Sequence, residues 1–222
     1  MTTTILLARH GESDWNRSKR WQGFADRPLT DLGREQAVEL ARRLEETELD
    51  AVYASDLQRA RDTAEIVAQS KGLTVETQPD LREVDVGSWS GLTRAEAETR
   101  YPELYARWLQ GGEGWEDGET YEQLGERVIA AIQQIVKSHE GERVLVVAHG
   151  GTIRAIHAAA LGLDIHSYRR IQRVEPNATL SAVCVDEGRL TEFCRTEDLD
   201  EFLIRDQERR REAALRPPTP AG

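Results

Sequence analysis

Twice in this chain an apolar run short enough to be a buried strand ends in a histidine followed by glycine. Ile5-Leu6-Leu7-Ala8 runs into Arg9-His10-Gly11-Glu12, and Val144-Leu145-Val146-Val147-Ala148 runs into His149-Gly150-Gly151-Thr152. Apolar runs of about four to eight residues with no polar alternation are the pattern of strands covered on both faces, as in parallel sheets. A helical stretch, Thr152 to Leu161, follows the second run. In open α/β sheets, ligands bind in the crevice beyond the carboxyl ends of the strands. If the two strands are neighbours and parallel, both histidines reach one crevice.

The rest of the chain fits the same architecture. Strand-like segments occur at Ala51–Tyr53 and Leu73–Glu76, and helices are expected at Thr30–Glu46, Gln58–Ser70, Thr120–Ser138 and Thr152–Leu161. Thr93 with Glu96, and Thr120 with Gln123, have the spacing of capping boxes. The expected fold is therefore α/β: three layers built on a mostly parallel, doubly wound sheet. Residues 93–125, with a helical stretch Thr93–Gln110 interrupted at Pro102, form a small helical insertion standing over the crevice. Residues 1–222 read as one domain. Asp198–Glu212 reads as a helix with Leu199, Phe202 and Leu203 on one face, and 198–222 as that helix plus a disordered tail from Arg216.

Several side chains are suited to phosphate chemistry. Arg9 offers a permanent planar fork of donors. A neutral His10 has a ring nitrogen lone pair able to attack phosphorus. Gly11 lets backbone approach a ligand without a Cβ in the way. Ser55 or Asp56 can cap the helix that follows Ala51–Tyr53. Arg59 then sits in its first turn, where the helix dipole disfavours a cation unless an anion is near. In Leu81-Arg82-Glu83-Val84-Asp85-Val86-Gly87-Ser88-Trp89-Ser90-Gly91, a partly desolvated Glu83 facing a phosphate would hold a proton near neutrality and could deliver it to a leaving alkoxide.

In order and spacing these elements resemble the histidine phosphatase superfamily, the group containing cofactor-dependent phosphoglycerate mutases and many phosphomonoesterases. The motifs span Thr3 to about Val185. They include Trp15-Asn16, Gln22-Gly23, Pro28-Leu29-Thr30 with Gly33, Ser55-Asp56-Leu57, Arg59-Ala60, Thr63-Ala64, Glu83, Gly118-Glu119-Thr120 and His149-Gly150-Gly151. The resemblance implies that His10 is the nucleophile that becomes phosphohistidine. It implies that Arg9, Arg59 and His149 cradle the phosphoryl oxygens, and that Glu83 protonates the leaving oxygen. Asn16, Gln22, Gly23 and Gly150 are implied as further substrate contacts. Neither metal nor other cofactor is required in this scheme.

The implied activity is hydrolysis of a small phosphorylated metabolite. A 2,3-bisphosphoglycerate-dependent phosphoglycerate mutase and a non-catalytic phosphate-binding module are the alternatives. Hydrolysis is favoured over mutase chemistry because no cation follows Glu83 until Arg94, and Gly151 rather than asparagine follows His149-Gly150. A metal site of His10, His149, Glu83 and Asp56 lacks any close-spaced ligand pair.

A net charge of −11 argues against nucleic-acid and membrane partners, so a phosphate ester must be drawn in by a local basic pocket. Glu113, Glu116, Asp117, Glu119, Glu122 and Glu126 are expected on a solvated face. The first apolar run is too short for a signal peptide, which makes a cytoplasmic setting the default, as a monomer or homodimer. The two cysteines, Cys184 and Cys194, fall in an expected hairpin, Leu180–Val185 and Arg189–Cys194, turning at Glu187-Gly188. That pairing sets Cys184 against Thr191 and Cys194 against Ser181, on opposite faces of the ribbon. Trp15, Trp21 and Trp89 are expected near the crevice, with Trp89 and Trp108 packing the insertion on the core. Arg154 reads as either a substrate contact or a structural ion pair.

Overall fold

A computed structural model describes residues 1–215; the tail from Arg216 to Gly222 lies outside the described residues. In chain order the elements are β1 (Thr3–Arg9), α1 (Asp14–Arg17), α2 (Asp31–Arg43), β2 (Ala51–Ala54), α3 (Gln58–Lys71) and β3 (Val75–Thr77). Next come α4 (Arg94–Arg100), α5 (Pro102–Leu109), α6 (Tyr121–Ser138), β4 (Arg143–Ala148), α7 (Gly150–Ala160) and α8 (Ile165–Ile171). The chain continues with β5 (Leu180–Asp186), β6 (Arg189–Cys194) and α9 (Leu199–Leu215).

The six strands form one sheet in the order β3-β2-β4-β1-β5-β6. β1 and β4 are parallel neighbours in a register that sets Arg9 against Ala148, so His10 and His149 emerge side by side. Both strands are buried along their length, and alternate residues feed opposite layers. Ile5, Leu7, Val144 and Val146 pack with residues of α6 and α7, while Leu6, Ala8, Leu145 and Val147 pack with residues of α2, α3 and α9. Truncating one of these fully buried leucines to alanine would cost about 2–5 kcal/mol. No helix among the described residues is long and apolar enough to cross a membrane.

Both expected capping boxes are present, at Thr93–Glu96 and Thr120–Gln123. Pro102 breaks the insertion into α4 and α5 where expected, because its ring cannot continue the preceding helix. The cap of α3 differs from expectation. Its N-cap is Leu57, with no side-chain bond of its own. Ser55 Oγ accepts from the Leu57 amide at 3.3 Å, and Asp26, 32 residues upstream, accepts from the Gln58 amide at 2.6 Å. A distant loop thus satisfies the first turn, which local propensity cannot foresee.

The Glu187-Gly188 turn has positive φ at both residues, 48° and 75°, as a tight hairpin requires. The expected pairing nevertheless fails beyond Val185–Leu190, because a bulge between Cys184 and Val185 shifts the register. Cys184 faces Glu192 and Cys194 faces Ala182. Both cysteines therefore join the same layer, not opposite faces, and both are free thiols.

Candidate active site

The carboxyl ends of β1 and β4 open into a cavity of about 770 Å³. His10 lies at its floor, 2% exposed. Its Nδ1 is 2.7 Å from the Gly11 carbonyl oxygen. A carbonyl can only accept, so Nδ1 carries the proton and Nε2 keeps its lone pair. Burial, then the charges of Arg59 and Arg9, push the His10 pKa well below 6.5, so the ring is neutral. The nearby glycine serves a different purpose from the one expected. A Cβ on Gly11 would come within 2.3 Å of the Gly33 carbonyl, so the close approach it permits is between two chain segments.

His149 sits against His10, with ring centroids 5.1 Å apart. It is fully buried, neither ring nitrogen has a hydrogen-bond partner, and burial followed by Arg59 and His10 holds its pKa well below 6.5. An unpaired buried polar group costs about 1–3 kcal/mol. Gly150 beside it faces Val174.

Arg59 is fully buried and forms no ion pair among the described residues. Its fork donates to the Ala25 and Gly23 carbonyls at 2.8 and 3.0 Å, and its Nε is unpartnered. Burial pulls its pKa down to about 10. Arg9 is similar: it donates to the Glu175 carbonyl and leaves Nε unpartnered. Asn16 and Gln22 also line the cavity. Their amide oxygens both face Ser13, Asn16 accepting from its backbone amide at 3.0 Å and Gln22 from its hydroxyl at 2.8 Å. That leaves their NH2 groups as donors for another partner.

Glu83 stands over the N-terminus of α7. Its carboxylate accepts from the Gly151 amide at 2.9 Å and from the Val84 amide at 2.9 Å. A Cβ on Gly151 would fall 2.2 Å from that same carboxylate oxygen, so only glycine admits the contact. The loop carrying Glu83 is tied down by Arg127, whose guanidinium donates to the Asp80, Arg82 and Glu83 carbonyls while paired with Glu119. Thr152 Oγ1 adds a bond to the Arg82 carbonyl at 2.7 Å. Glu119 is thus a half-buried anchor, as is Glu113, which accepts from the Tyr121 amide. Only the remaining acidic residues of the stretch, Glu116, Asp117, Glu122 and Glu126, lie on a solvated face.

Asp56 is turned away, bonded to Arg82 at 2.7 Å, and so does not join His10, His149 and Glu83. Among the described residues, the group close enough to share an ion is Glu113, Glu122 and His166. Trp21 lines the cavity, whereas Trp89 is fully buried among Trp21, Trp108 and Trp115. Trp15 packs under Arg27 and does not line the cavity.

Sequence reasoning missed much of the cavity's charge. Besides Arg9 and Arg59, its walls carry Lys19, Arg20, Arg94, Arg154 and Arg169, against the single carboxylate of Glu83. Among the described residues Arg154 is in no ion pair; it donates to the Gln172 carbonyl at 2.7 Å. Arg169 comes from α8, a helix without an apolar pattern strong enough to announce it. Asp85, which sequence order sets beside Glu83, turns into its own loop and accepts from the Gly87 amide.

Residues 5–195 match the model of the histidine phosphatase superfamily (branch 1). The chain belongs to that superfamily. An Arabidopsis thaliana protein named metal-independent phosphoserine phosphatase is 44% identical over 160 residues, covering 70% of this chain and 67% of the relative. Phosphoserine phosphatase 1 of Hydrogenobacter thermophilus is 34% identical, covering 83% of this chain and 88% of its own. The solved structure of Bacillus stearothermophilus YhfR superposes with a TM-score of 0.79 at 34% identity, over 85% of this chain and 94% of that one.

Proposed function

We propose that this superfamily member is a metal-independent phosphomonoesterase that hydrolyses a small phosphorylated metabolite through a phosphohistidine at His10. The observation that carries the reading is the bare Nε2 of a neutral, buried His10 facing a cavity that also holds the guanidiniums of Arg9 and Arg59, neither in an ion pair among the described residues. Nε2 attacks phosphorus in line as the ester P–O bond breaks, and the leaving oxygen takes a proton from Glu83. Water then attacks phosphorus as the P–N bond breaks, giving up a proton to the Glu83 carboxylate, and inorganic phosphate departs. Arg9 and Arg59 hold the charge spread over the phosphoryl oxygens, in a water-poor site where such contacts are worth most. His149 meets an oxygen through a nitrogen that otherwise lacks a partner. Asn16 and Gln22 contribute their amide donors. General acid–base help supplies about 10²–10⁴ of the acceleration; the larger share comes from positioning and the cationic cradle.

The same reading expects a cytoplasmic enzyme whose partner is its substrate, with neither nucleic acid nor membrane, and with residues 93–125 closing over the leaving group. It is tested by brief reaction with ³²P-labelled p-nitrophenyl phosphate and denaturation. An acid-labile, alkali-stable label on His10 is expected. Label on serine or aspartate, or normal turnover by His10→Ala, would refute it. Glu83→Gln should slow alkyl esters about 10²–10⁴-fold and p-nitrophenyl phosphate far less, because a good leaving group needs little protonation. Equal losses would make Glu83 a binding residue.

A further inference from the structure

The cavity has a second cationic centre with no function in phosphoryl transfer. Arg154 projects from α7 one turn beyond Gly151, whose amide holds Glu83, and so lies on the proton-donor side of the site. Arg169 enters from α8 with its guanidinium carbon 3.5 Å from the centroid of the Tyr121 ring, which fixes the plane of the fork. Both line the same cavity as His10. Each has one terminal nitrogen tied to a backbone carbonyl, Gln172 for Arg154 and Gly111 for Arg169, and neither pairs with a carboxylate among the described residues. The Nε of each is buried without a partner. Burial, then the charge of Arg169, lowers the pKa of Arg154, so the two cations repel each other across the cavity wall. Glu83 acts on Arg154 and Glu113 on Arg169 only from a distance, so each half-buried cation is incompletely matched.

We propose that Arg154 and Arg169 form a subsite for a carboxylate on the leaving group, so that the substrates are phosphate esters of small hydroxy acids. The proposal rests on the phosphatase reading above, in which the leaving group departs past Glu83. One nitrogen of each fork is already occupied, and the narrow edge left suits the two oxygens of a planar carboxylate better than the three of a second phosphate. Arg154 and Arg169 are then specificity residues supplied by α7 and α8, not by the loop that follows Glu83.

The test is the ratio of kcat/KM for 3-phosphoglycerate to that for glycerol 3-phosphate, which differ only by carboxylate against hydroxymethyl. Within one preparation this ratio is independent of the fraction of protein that is active. The wild-type ratio should be about tenfold or more. It should fall at least about fivefold in Arg154→Gln and in Arg169→Gln, approach one in the double variant, and be partly kept by Arg154→Lys. A wild-type ratio near one, or a ratio unmoved by both substitutions, overturns the subsite. So does a preference for propane-1,3-diol bisphosphate over propyl phosphate without one in the carboxylate pair. Labelling of His10 by p-nitrophenyl phosphate is scored separately. Label with a ratio near one refutes the subsite alone, and no label with any ester refutes the phosphatase reading.

Discussion

Two arginines of this protein are equally buried, Arg59 at 0% exposure and Arg143 at 2%, yet they are solvated in opposite ways. Arg143 opens β4 at the amino edge of the sheet and is matched by Asp206 of α9, with Nε bonded at 2.7 Å. Asp206 also accepts from Thr4 at 2.6 Å and Arg209 at 2.8 Å. Burial alone would raise its pKa, but Thr4 and Arg143 outweigh that and hold it below the ordinary value. Arg59, at the carboxyl edge, is hydrogen-bonded only to carbonyl oxygens; Glu83 and Asp26 favour its charge from a distance, but neither forms an ion pair with it among the described residues. A buried ion needs a counter-charge. One edge carries its own, binding the C-terminal helix to the sheet; at the other, on the function proposed here, the counter-charge is the anion of the substrate.

Replacing each arginine by methionine, which keeps much of the apolar stem, separates these roles. Arg59→Met should lower kcat/KM for any phosphate ester about 10³–10⁵-fold, the range found for arginines that stabilise phosphoryl transfer. It should also abolish the stabilisation that inorganic phosphate gives, about 2.7 kcal/mol at a hundred times its Kd. Stability without phosphate should hold or rise, because an unmatched buried charge is gone. Arg143→Met should do the reverse. It leaves the Asp206 carboxylate without its buried partner, at a cost of about 3–5 kcal/mol in urea melts, with turnover at low temperature retained. Destabilisation by Arg59→Met as severe as that by Arg143→Met would erase the distinction.

The two edges also differed in legibility. The placement of the cavity-floor residues could be read because each is pinned to a strand end or a helix start: Arg9 and His10 lie at the end of β1, His149 follows β4, and Arg59 lies in the first turn of α3. Their joint position follows from strand adjacency. The parallel layering was equally plain, since β1 and β4 are apolar on both faces. What escaped depended on contacts between segments remote in sequence. Asp26 capping α3, Arg127 clamping the Glu83 loop and the bulge at Cys184 have no local pattern. Arg154 could be read only as a substrate contact or an ion pair, and Arg169 carries no local signal, until packing sets both on the cavity wall with no ion pair among the described residues. The Arg143–Asp206 pair, separated by 63 residues, was invisible for the same reason.

Histidines sharpen the comparison through pH. His10 and His149 in the site, and His157 away from it, all have pKa values below 6.5, His157 at about 3 chiefly through burial. His157 is matched, with Ser181 at 2.8 Å and Tyr168 at 3.2 Å. A depressed folded pKa means the unfolded chain binds the proton more readily. The stability these groups contribute is therefore complete above pH 6.5 and lost as pH falls below it. Each should remove about 1.4 kcal/mol per pH unit in that window. His166 has the opposite sign, because its Gly111 and Glu122 contacts outweigh burial and raise its pKa, but it is a single group. Saturating phosphate should flatten the slope by supplying negative charge beside His10 and His149 but not His157. Stability unchanged between pH 7 and 5 would contradict the neutral state assigned to the site histidines.

The smallest effect belongs to a third setting for arginine, the half-exposed pair Arg82–Asp56 beside the site. Its side chains are 32% and 25% exposed, and Arg82 Nε lies 2.7 Å from Asp56. The Arg82 bond holds the Asp56 carboxyl below its usual pKa, but water and salt share the stabilisation of both charges. Exposed pairs of this kind contribute about 0.2–1 kcal/mol. Asp56→Asn should therefore lower stability by less than about 1 kcal/mol, with the difference shrinking in 1 M salt, where the screening length is about 3 Å. Arg82 precedes Glu83, so a shifted loop would show first as slower hydrolysis of alkyl esters; a change within about threefold is expected, since Arg127 and Thr152 still hold the loop backbone. A loss of about a hundredfold with unchanged stability would place Asp56 in the chemistry. It would also break the rule drawn from Arg59 and Arg143, that a guanidinium with a carboxylate of its own is structural.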